Sequence, residues 1–461
     1  MKLAAQRGAI AVDHSGGPSP LGRIDRLKAS LAGGNATVGV VGMGYVGQPL
    51  AITAHRKGFR VLGFDTDPDR VATLNDGRSG IRTIPDGKIS AMLGDGRFRA
   101  TSEMSELELA DVITICVPTP LNKYREPDLS HVERTAKAVG TALRVDQLVC
   151  LESTTYPGCT VEIVKPAMER NGLRVGRDVF LAYSPEREDP GSKFRTSEIP
   201  KVVGADDDHS RMLAEAFYGR LVDRIVPVRN CATAEAVKLS ENIFRCVNIA
   251  LVNELKHIYE RMGIDIWEVI EAADTKPFGY MAFYPGPGLG GHCVPIDPFY
   301  LSWKAREHEV PARFIELAGE INTAEPLQTV DALATALSER KQMSLNGARI
   351  LLVGLAYKKN VDDLRESPAL TIFKQLETKG ASVHYYDPWV PVISETRDFP
   401  HLAGRQSVPW APERFREDFD AAIIVTDHDD VDYHRLADAI DLIIDTRNAM
   451  REIARPGIVK A

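Results

Sequence analysis

The stretch GPGLGGHCVPIDPFYL, residues 286–301, contains the residue types that could do chemistry most directly. It surrounds one thiol, Cys293, with glycines and prolines and places an acid, Asp297, four residues further on. Glycine-rich backbone approaches a ligand closely and favours no regular element. Such a loop can present a thiolate to an electrophile, although most free cysteines are simply small hydrophobic side chains. Which of the two applies depends on whether the rest of the chain brings an electrophile to the loop.

A second group of polar residues lies in the helix-patterned stretch TAEAVKLSENIFRCVNIALVNELKHIYERMG. Lys238, Asn242 and Arg245 recur there at i, i+4 and i+7, which places them on one face of a helix. A cation and an amide on this face could hold an alkoxide or an oxyanion, and the alternative is an exposed polar stripe. Glu186, in AYSPERED after a predicted strand, could activate a water molecule.

These groups need elements to position them, and the first is a dinucleotide-binding motif. Gly42-x-Gly44-x-x-Gly47 follows an apolar β-type run and opens a helix, and the next β-type run ends at Asp65. The glycines permit a tight turn, close approach of a pyrophosphate and close packing of the helix, whose N-terminus faces the phosphates. Asp65 can accept hydrogen bonds from the adenosine ribose and would repel a 2′-phosphate. The pattern favours NAD over NADP, against the alternative of a purely structural glycine turn.

Later strand ends add further polar side chains. Thr119 and Thr154 follow predicted strands at the edge where ligands bind in such sheets, although residues of this type often only cap helices. Lys358 and Arg365 follow ILLVG, the first strand of a second run of strands, where an anionic ligand would lie. This second run has no glycine triad and is therefore not a second copy of the dinucleotide site.

The order of the predicted elements indicates an α/β protein with two Rossmann-like, doubly wound parallel-sheet domains joined by a long central helical domain. Over residues 36–229 short apolar runs alternate with helical segments, which is typical of a parallel sheet covered by helices. Residues 230–330 contain a long helical pattern and no predicted strand, and the α/β alternation returns over 345–461. Residues 1–35 are predicted to form a tail and a short amphipathic helix. The apolar surface of the central helices favours a homodimer or a higher homo-oligomer.

Composition excludes several classes of protein. A net charge of −8 over 461 residues, without a basic run, argues against a nucleic-acid binder. The six cysteines show no C-x-x-C pair and no metal-ligand spacing, so they are expected to be reduced thiols in a cytoplasmic protein. No apolar run approaches the roughly 18 residues of a membrane span, and the N-terminus lacks the apolar core of a signal peptide. No metal and no membrane partner are expected.

A dinucleotide site together with a thiol on a close-approach loop predicts a particular reaction. Oxidation of an alcohol to an aldehyde needs a base and a hydride acceptor but no thiol. Oxidation of an aldehyde to an acid is different, because the carbon must first become tetrahedral. A thiolate achieves this by adding to the aldehyde, hydride loss then leaves a thioester, and water cleaves it. The sequence therefore predicts a four-electron oxidation of an alcohol to an acid.

These residues resemble the UDP-glucose/GDP-mannose dehydrogenases, a family of nucleotide-sugar 6-dehydrogenases, over about residues 36–450. The likeness is carried by the glycine triad with its acid, SPER, EAVKLSENIFRCVNIALVNEL, GGHCVPIDPFYL and GLAYKKNVDDLRESPA. Such enzymes oxidise the C6 hydroxyl of a nucleotide sugar to a carboxylate with two NAD, and their products feed surface polysaccharide synthesis. The resemblance therefore implies a UDP-sugar substrate and NAD as the cofactor.

The resemblance also assigns roles. Cys293 matches the nucleophile, Lys238 the catalytic lysine, Asn242 the amide that steadies the reacting oxygen, Asp297 the paired acid and Glu186 the thioester-hydrolysis glutamate. The expected NAD contacts are Gly42, Gly44, Tyr45, Val46, Gly47, Asp65, Arg70, Thr119, Thr154 and Arg365. The expected substrate contacts are Arg187, Lys238, Asn242, Arg245, Gly290, Tyr357, Lys358 and Arg447. His292 receives no catalytic role.

Two loops point to the sugar. The sequences GGHCVPID and PEREDPG differ from the UDP-glucose branch and are similar to the branch that handles 2-acetamido sugars, above all UDP-N-acetylglucosamine 6-dehydrogenases. UDP-glucose, UDP-N-acetylmannosamine and UDP-N-acetylgalactosamine are the alternative substrates. Outside this class, a two-electron β-hydroxyacid dehydrogenase would not need Cys293, and an NAD-binding sensor would use that thiol only for regulation.

Overall fold

The computed structural model describes residues 20–122, 124–187, 196–291 and 294–461. The first part of the chain folds around a sheet of eight strands. Its strands are β1 (Thr37–Val41), β2 (Arg60–Phe64), β3 (Phe98–Thr101), β4 (Val112–Ile115), β5 (Leu148–Leu151), β6 (Phe180–Tyr183), β7 (Lys201–Gly204) and β8 (Ile225–Val228). Its helices are α1 (Pro20–Gly33), α2 (Gly47–Arg56), α3 (Pro68–Asn75), α4 (Asp86–Gly94), α5 (Ser130–Ala142), α6 (Lys165–Glu169) and α7 (Asp208–Leu221).

The order of the strands creates a ligand-binding edge. Across the sheet they run β3-β2-β1-β4-β5-β6-β7-β8. The side chains of β1 to β7 are mostly buried because helices cover both faces, whereas the edge strand β8 is partly exposed. The chain leaves β1 toward β2 on one side and returns to β4 on the other, and the carboxyl ends of the strands open a crevice at such a reversal. The pairs are parallel except β6 with β7, which is antiparallel and pairs Tyr183 with Gly204.

Long helices follow the first sheet. They are α8 (Cys231–Arg261), α9 (Ile266–Asp274), α10 (Asp297–Glu307) and α11 (Arg313–Lys341). α8 and α11 pack side by side and share buried polar contacts, in which Asn253 donates to Asn322 at 3.1 Å and Lys256 pairs with Glu325 at 2.9 Å. These contacts fix the register of the two helices, because an unpaired buried charge would be costly.

The last part of the chain forms a second sheet, all parallel, in the order β10-β9-β11-β12-β13. Its elements are β9 (Arg349–Val353), α12 (Pro368–Thr378), β10 (Ser382–Tyr386), α13 (Pro412–Asp418), β11 (Ala421–Ile424), α14 (Tyr433–Ala439), β12 (Ile443–Asp445) and β13 (Ile458–Lys460). The predicted α/β class with two Rossmann-like sheets and a central helical region is confirmed.

The helix expected before the first sheet is α1. Its apolar side chains Ile24, Leu27 and Leu31 are spaced at helical period and are buried in the core that α7 also lines. Of the helices that the structure describes, none combines the length and the apolar character needed to cross a bilayer.

Candidate active site

The glycine triad has three different tasks. Gly42 has a φ of +94°, and a Cβ there would lie 2.6 Å from the carbonyl oxygen of Cys116. A Cβ on Gly47 would lie 2.0 Å from the carbonyl oxygen of Gly42, so α2 can begin this close to β1 only with glycine. Gly44 differs from both, because no atom lies within 4 Å of its Cβ position. Gly44 therefore faces open space at the start of α2, where Val46 is the N-cap residue, and this arrangement fits a dinucleotide pyrophosphate.

Asp65 braces this loop from the end of β2. Its carboxylate accepts the backbone N–H groups of Met43 and Asp67, each at 3.0 Å, and Arg70 lies 3.7 Å from it. Both carboxylate oxygens are thus oriented by the protein, which sets an acid beside the glycine loop as the sequence predicts. The same acid supports the loop structurally.

Arg365, which follows the first strand of the second sheet, contacts the Gly42–Gly47 loop. Its guanidinium lies 4.4 Å from the ring centroid of Tyr45, and Asp363 orients it through hydrogen bonds of 3.0 and 2.6 Å. Burial, followed by the charges of Asp363 and Asp362, raises the pKa of Tyr45. Arg365, which lies in the loop between β9 and α12, is thereby brought to the predicted NAD site.

The helix α8 carries the predicted catalytic cluster. Asn242 is fully buried and donates a hydrogen bond from its side-chain amide to Asp297, the first residue of α10. Arg245 donates to the amide oxygen of Asn242, and Lys238 lies one turn earlier, 6% exposed. Burial raises the pKa of Asp297 to about 7, against the opposing influence of Lys238, Asn242 and Arg245. Asp297 can therefore exchange a proton near neutral pH, as acid–base chemistry requires.

A buried glutamate, Glu235, ties this helix to the turn after β5. It lies one turn before Lys238 and accepts the backbone N–H groups of Gly158 at 2.6 Å and Thr160 at 2.9 Å. The same turn begins with Thr154, which is half-buried at the carboxyl end of β5. Thr119, at the end of β4, accepts a hydrogen bond from Tyr300 of α10 through its carbonyl oxygen, at 3.0 Å. The two predicted threonines are thus connected to the two helices of the cluster.

Glu186 and Arg187 follow β6. The carboxylate of Glu186 accepts a hydrogen bond from Lys201 at 2.9 Å. Arg187 pairs with Glu241 of α8 at 2.5 Å and donates to the carbonyl oxygen of Pro200 at 2.7 Å. Arg187 therefore links the strand end to the helix turn that carries Asn242. A substrate that contacts Arg187 has to share it with Glu241.

The glycine-rich chain over 286–291 runs against the second sheet. A Cβ on Gly290 would lie 2.6 Å from the Cβ of Tyr357, and a Cβ on Gly286 would lie 2.5 Å from a guanidinium nitrogen of Arg447. The N–H of Gly291 donates to the carbonyl oxygen of Arg365 at 3.0 Å. Glycine is needed at position 290 because a Cβ there would overlap the Cβ of Tyr357, whereas the Arg447 side chain could move away from a Cβ at position 286. This contact brings the predicted substrate residues Gly290, Tyr357 and Arg447 into one region.

Cys293 and His292 lie outside the described residues. The other five cysteines are free and buried. On α8, for instance, burial raises the pKa of Cys246 to about 11, so that thiol stays protonated at neutral pH.

A buried Asp387–His428 pair organises the loop that carries Tyr357 and the half-buried Lys358. The carboxylate of Asp387 accepts the backbone N–H groups of Leu355 at 2.6 Å and Ala356 at 3.0 Å, and His428 lies 3.1 Å away. Sequence reasoning missed this pair. The acid in SVHYYDP, at the end of β10, was the available signal.

The whole arrangement matches one protein family. Its three models match in succession: the NAD binding domain of the UDP-glucose/GDP-mannose dehydrogenase family over residues 36–222, the central domain over 232–324 and the UDP binding domain over 351–452. The chain belongs to the UDP-glucose/GDP-mannose dehydrogenase family. It is an NAD-dependent oxidoreductase that acts on a UDP-sugar.

Relatives within the family are named for acetamido-sugar substrates. The chain is 36% identical over 356 residues to a UDP-N-acetyl-D-glucosamine 6-dehydrogenase of Pseudomonas aeruginosa. The alignment covers 77% of this chain and 83% of that protein. It is 34% identical over 422 residues to a UDP-N-acetyl-D-mannosamine dehydrogenase of Pyrococcus horikoshii, with coverage of 90% and 96%. A solved structure of a UDP-D-ManNAc dehydrogenase from Pyrococcus horikoshii superposes with a TM-score of 0.82 at 33% identity, covering 92% of this chain and 98% of that one.

We expect the Asp65→Ala variant to raise the KM for NAD at least tenfold with a smaller change in kcat. The carboxylate would be lost both as a ribose acceptor and as the brace of Met43, and hydrogen bonds to a charged group contribute about 1.5–3 kcal/mol. The measurement is initial NADH formation against NAD and NADP concentration. Asp111→Ala is the matched control, because Asp111 also accepts a backbone N–H, that of Thr37 at 2.9 Å, but at the amino end of β1. Equal turnover of the unmodified protein with NADP and NAD would contradict the role of Asp65.

Proposed function

We propose that the protein oxidises the C6 hydroxyl of UDP-N-acetyl-D-glucosamine to a carboxylate in two successive two-electron steps, through a thiohemiacetal and a thioester on Cys293. The observation that carries the proposal is the buried contact between Asn242 of α8 and Asp297 of α10, with Lys238 one turn away. NAD, when bound, supplies the hydride acceptor for both oxidations.

One residue of α10 accepts the proton in the first oxidation, and two residues of α8 stabilise the negative charge that develops. Asp297, whose pKa is about 7, accepts the proton of the C6 hydroxyl. Lys238 and Asn242 stabilise the negative charge that develops on that oxygen. The Cys293 thiolate then adds to the aldehyde carbon, and the second oxidation leaves a thioester. Water cleaves the C–S bond, so the sugar alcohol and one water become a carboxylate and four electrons leave as two hydrides.

The remaining predicted residues bind the two ligands. We assign the open side of Gly44, with Asp65, Arg70 and Arg365, to NAD, and the region of Gly290, Tyr357, Lys358 and Arg447 to the UDP-sugar. Burial lowers the pKa of Arg447, although Asp427 and Asp445 oppose this. A diphosphate beside that guanidinium would favour its charged form.

The choice of sugar rests on two loops and on relatives. GGHCVPID and PEREDPG resemble the acetamido-sugar branch, and the Pseudomonas relative is named for UDP-N-acetylglucosamine. UDP-N-acetylmannosamine is the second candidate, because the Pyrococcus relative named for it aligns over more of the chain.

A panel of UDP-sugars tests the proposal. Initial rates with saturating NAD would be measured for UDP-N-acetylglucosamine, its manno and galacto epimers, and UDP-glucose. We expect the highest kcat/KM for UDP-N-acetylglucosamine, an epimer next and UDP-glucose last. A higher kcat/KM for UDP-glucose than for every acetamido sugar would refute the assignment of the sugar.

Self-association is part of the proposal. Phe244, Leu251 and Ile258 recur along one face of α8 and stay exposed, and its C-cap residue Met262 is 63% exposed. An apolar stripe of this length on a helix suits an isologous contact with a second copy. Light scattering should give at least twice the mass of the chain, and Leu251→Asp should lower that mass. A monomer at micromolar concentration would contradict the assignment of this face.

A further inference from the structure

We propose that Lys201, with Glu152 as its buried counter-ion, is the positioning residue that holds Glu186 for hydrolysis of the thioester. Lys201 is 7% exposed, and its ammonium donates to Glu152 at 2.7 Å and to Glu186 at 2.9 Å. The inference rests on the proposed function, in which Glu186 activates the water that cleaves the thioester.

The antiparallel pairing of β6 with β7 is what brings Lys201 to Glu186. Tyr183 pairs with Gly204, and continuing this register beyond the end of β6 sets Glu186 opposite Lys201. A parallel β7 would begin at the other edge of the sheet, far from the ligand-binding ends of β4 and β5. The one reversed pair in the sheet therefore supplies a lysine to the edge where the chemistry is expected.

Glu152 compensates the positive charge of the buried Lys201 ammonium. It follows β5, its side chain is fully buried, and Tyr218 donates to its other oxygen at 2.8 Å. Burial raises the pKa of Glu152, against the opposing charge of Lys201. For Lys201 the effect of burial is outweighed by the two carboxylates, which raise its pKa and keep it protonated. A charged lysine between two acids can hold one of them as an anion.

Both carboxylate oxygens of Glu186 accept hydrogen bonds, which restrict the orientation of the side chain. One accepts from Lys201 and the other from the backbone N–H of Arg187 at 2.7 Å. In the hydrolytic step the water oxygen bonds to the thioester carbon as Glu186 takes one of its protons. The C–S bond breaks, the thiolate leaves, and the new carboxylic acid releases its proton to solvent. Without Lys201 the carboxylate would lose one of the two contacts that orient it, and this step would slow selectively.

The test is rapid-quench kinetics with intact-protein mass spectrometry, using UDP-N-acetylglucosamine and excess NAD. We expect Lys201→Met to form two NADH per active site at near wild-type rate and then to stall, with a covalent sugar adduct in the mass spectrum and about 100-fold slower turnover. Glu186→Gln should behave in the same way, and adding Lys201→Met to it should change little, since the two act as one unit. Lys201→Arg should restore most of the turnover.

Two further variants separate positioning from folding. Lys304→Met is the matched control, because Lys304 is also buried and pairs with two acids, Glu162 at 3.0 Å and Glu307 at 2.7 Å. It should accumulate no adduct. The double variant Glu152→Gln/Lys201→Met removes both buried charges, and it should fold and still show the stall.

A uniform slowing of both hydride steps and of turnover by Lys201→Met, with no adduct, would overturn the inference. So would unchanged turnover. Failure of the proposed function would look different, because the unmodified protein would then yield one NADH per sugar and Glu186→Gln would trap nothing.

Discussion

Replacing Cys293 with alanine is expected to reduce formation of the uronic acid several thousandfold, while binding of NAD and UDP-sugar survives. Without a nucleophile the aldehyde carbon cannot become a thiohemiacetal, and loss of a nucleophile typically raises the barrier by roughly 5 kcal/mol or more. The side chains that we assign to NAD and to the UDP-sugar belong to other residues, so both ligands should bind as before. The measurement is NADH formation together with product mass, and ligand binding by calorimetry.

Two further cysteine variants, Cys293→Ser and Cys246→Ala, test the same expectation. Cys293→Ser should stall, because a serine hydroxyl is hardly ionised near neutral pH and its ester is a poorer target for water than a thioester. Cys246→Ala removes a buried thiol on α8 that stays protonated, and it should keep near wild-type kcat. Steady uronic acid formation by Cys293→Ala at near wild-type rate would mean that the thiol is not the nucleophile.

Asp297→Asn is expected to lower kcat by a factor of 10² to 10⁴, the range typical of lost general acid–base catalysis. In the unmodified protein kcat/KM should rise with pH through about 7, as the carboxyl loses the proton that burial holds on it. In the variant this limb of the profile should disappear. Retention of the same limb by Asp297→Asn would assign it to another group.

The raised pKa of Asp297 also has a consequence for stability. The folded protein holds the proton up to about pH 7, whereas the unfolded chain releases it near the ordinary value of 3.8. The protonated carboxyl therefore stabilises the folded state below about pH 4, and the free energy of unfolding decreases as pH rises from about 4 to about 7. The melting temperature of Asp297→Asn relative to the unmodified protein should accordingly increase across that window. A constant difference between the two melting temperatures would show that Asp297 titrates normally.

The parts of the site that depend on local spacing were predictable from the sequence. The glycine triad follows a β-type run and precedes a helix, which predicts its turn and the acid Asp65 beside it. Helical period places Lys238, Asn242 and Arg245 on one face, and the structure adds that Arg245 contacts Asn242. The two sheets and the helices between them follow from the alternation of apolar runs.

The parts that depend on long-range pairing were not predictable. Lys201 is the first residue of an ordinary-looking strand, and its role follows from the antiparallel β7. Arg365 was expected at the cofactor only by resemblance, because its contact with Tyr45 joins two loops that are 320 residues apart in sequence. The pairing of Arg187 with Glu241 likewise spans more than 50 residues and has no local signature.

A four-electron oxidation by one active site can be tested by counting NADH per sugar. A limiting, known amount of UDP-N-acetylglucosamine would be consumed to completion with excess NAD, and NADH absorbance and product mass would be read together. We expect two NADH per sugar and a product with the mass of the uronic acid. One NADH per sugar, with an aldehyde or its hydrate as the final product, would contradict it.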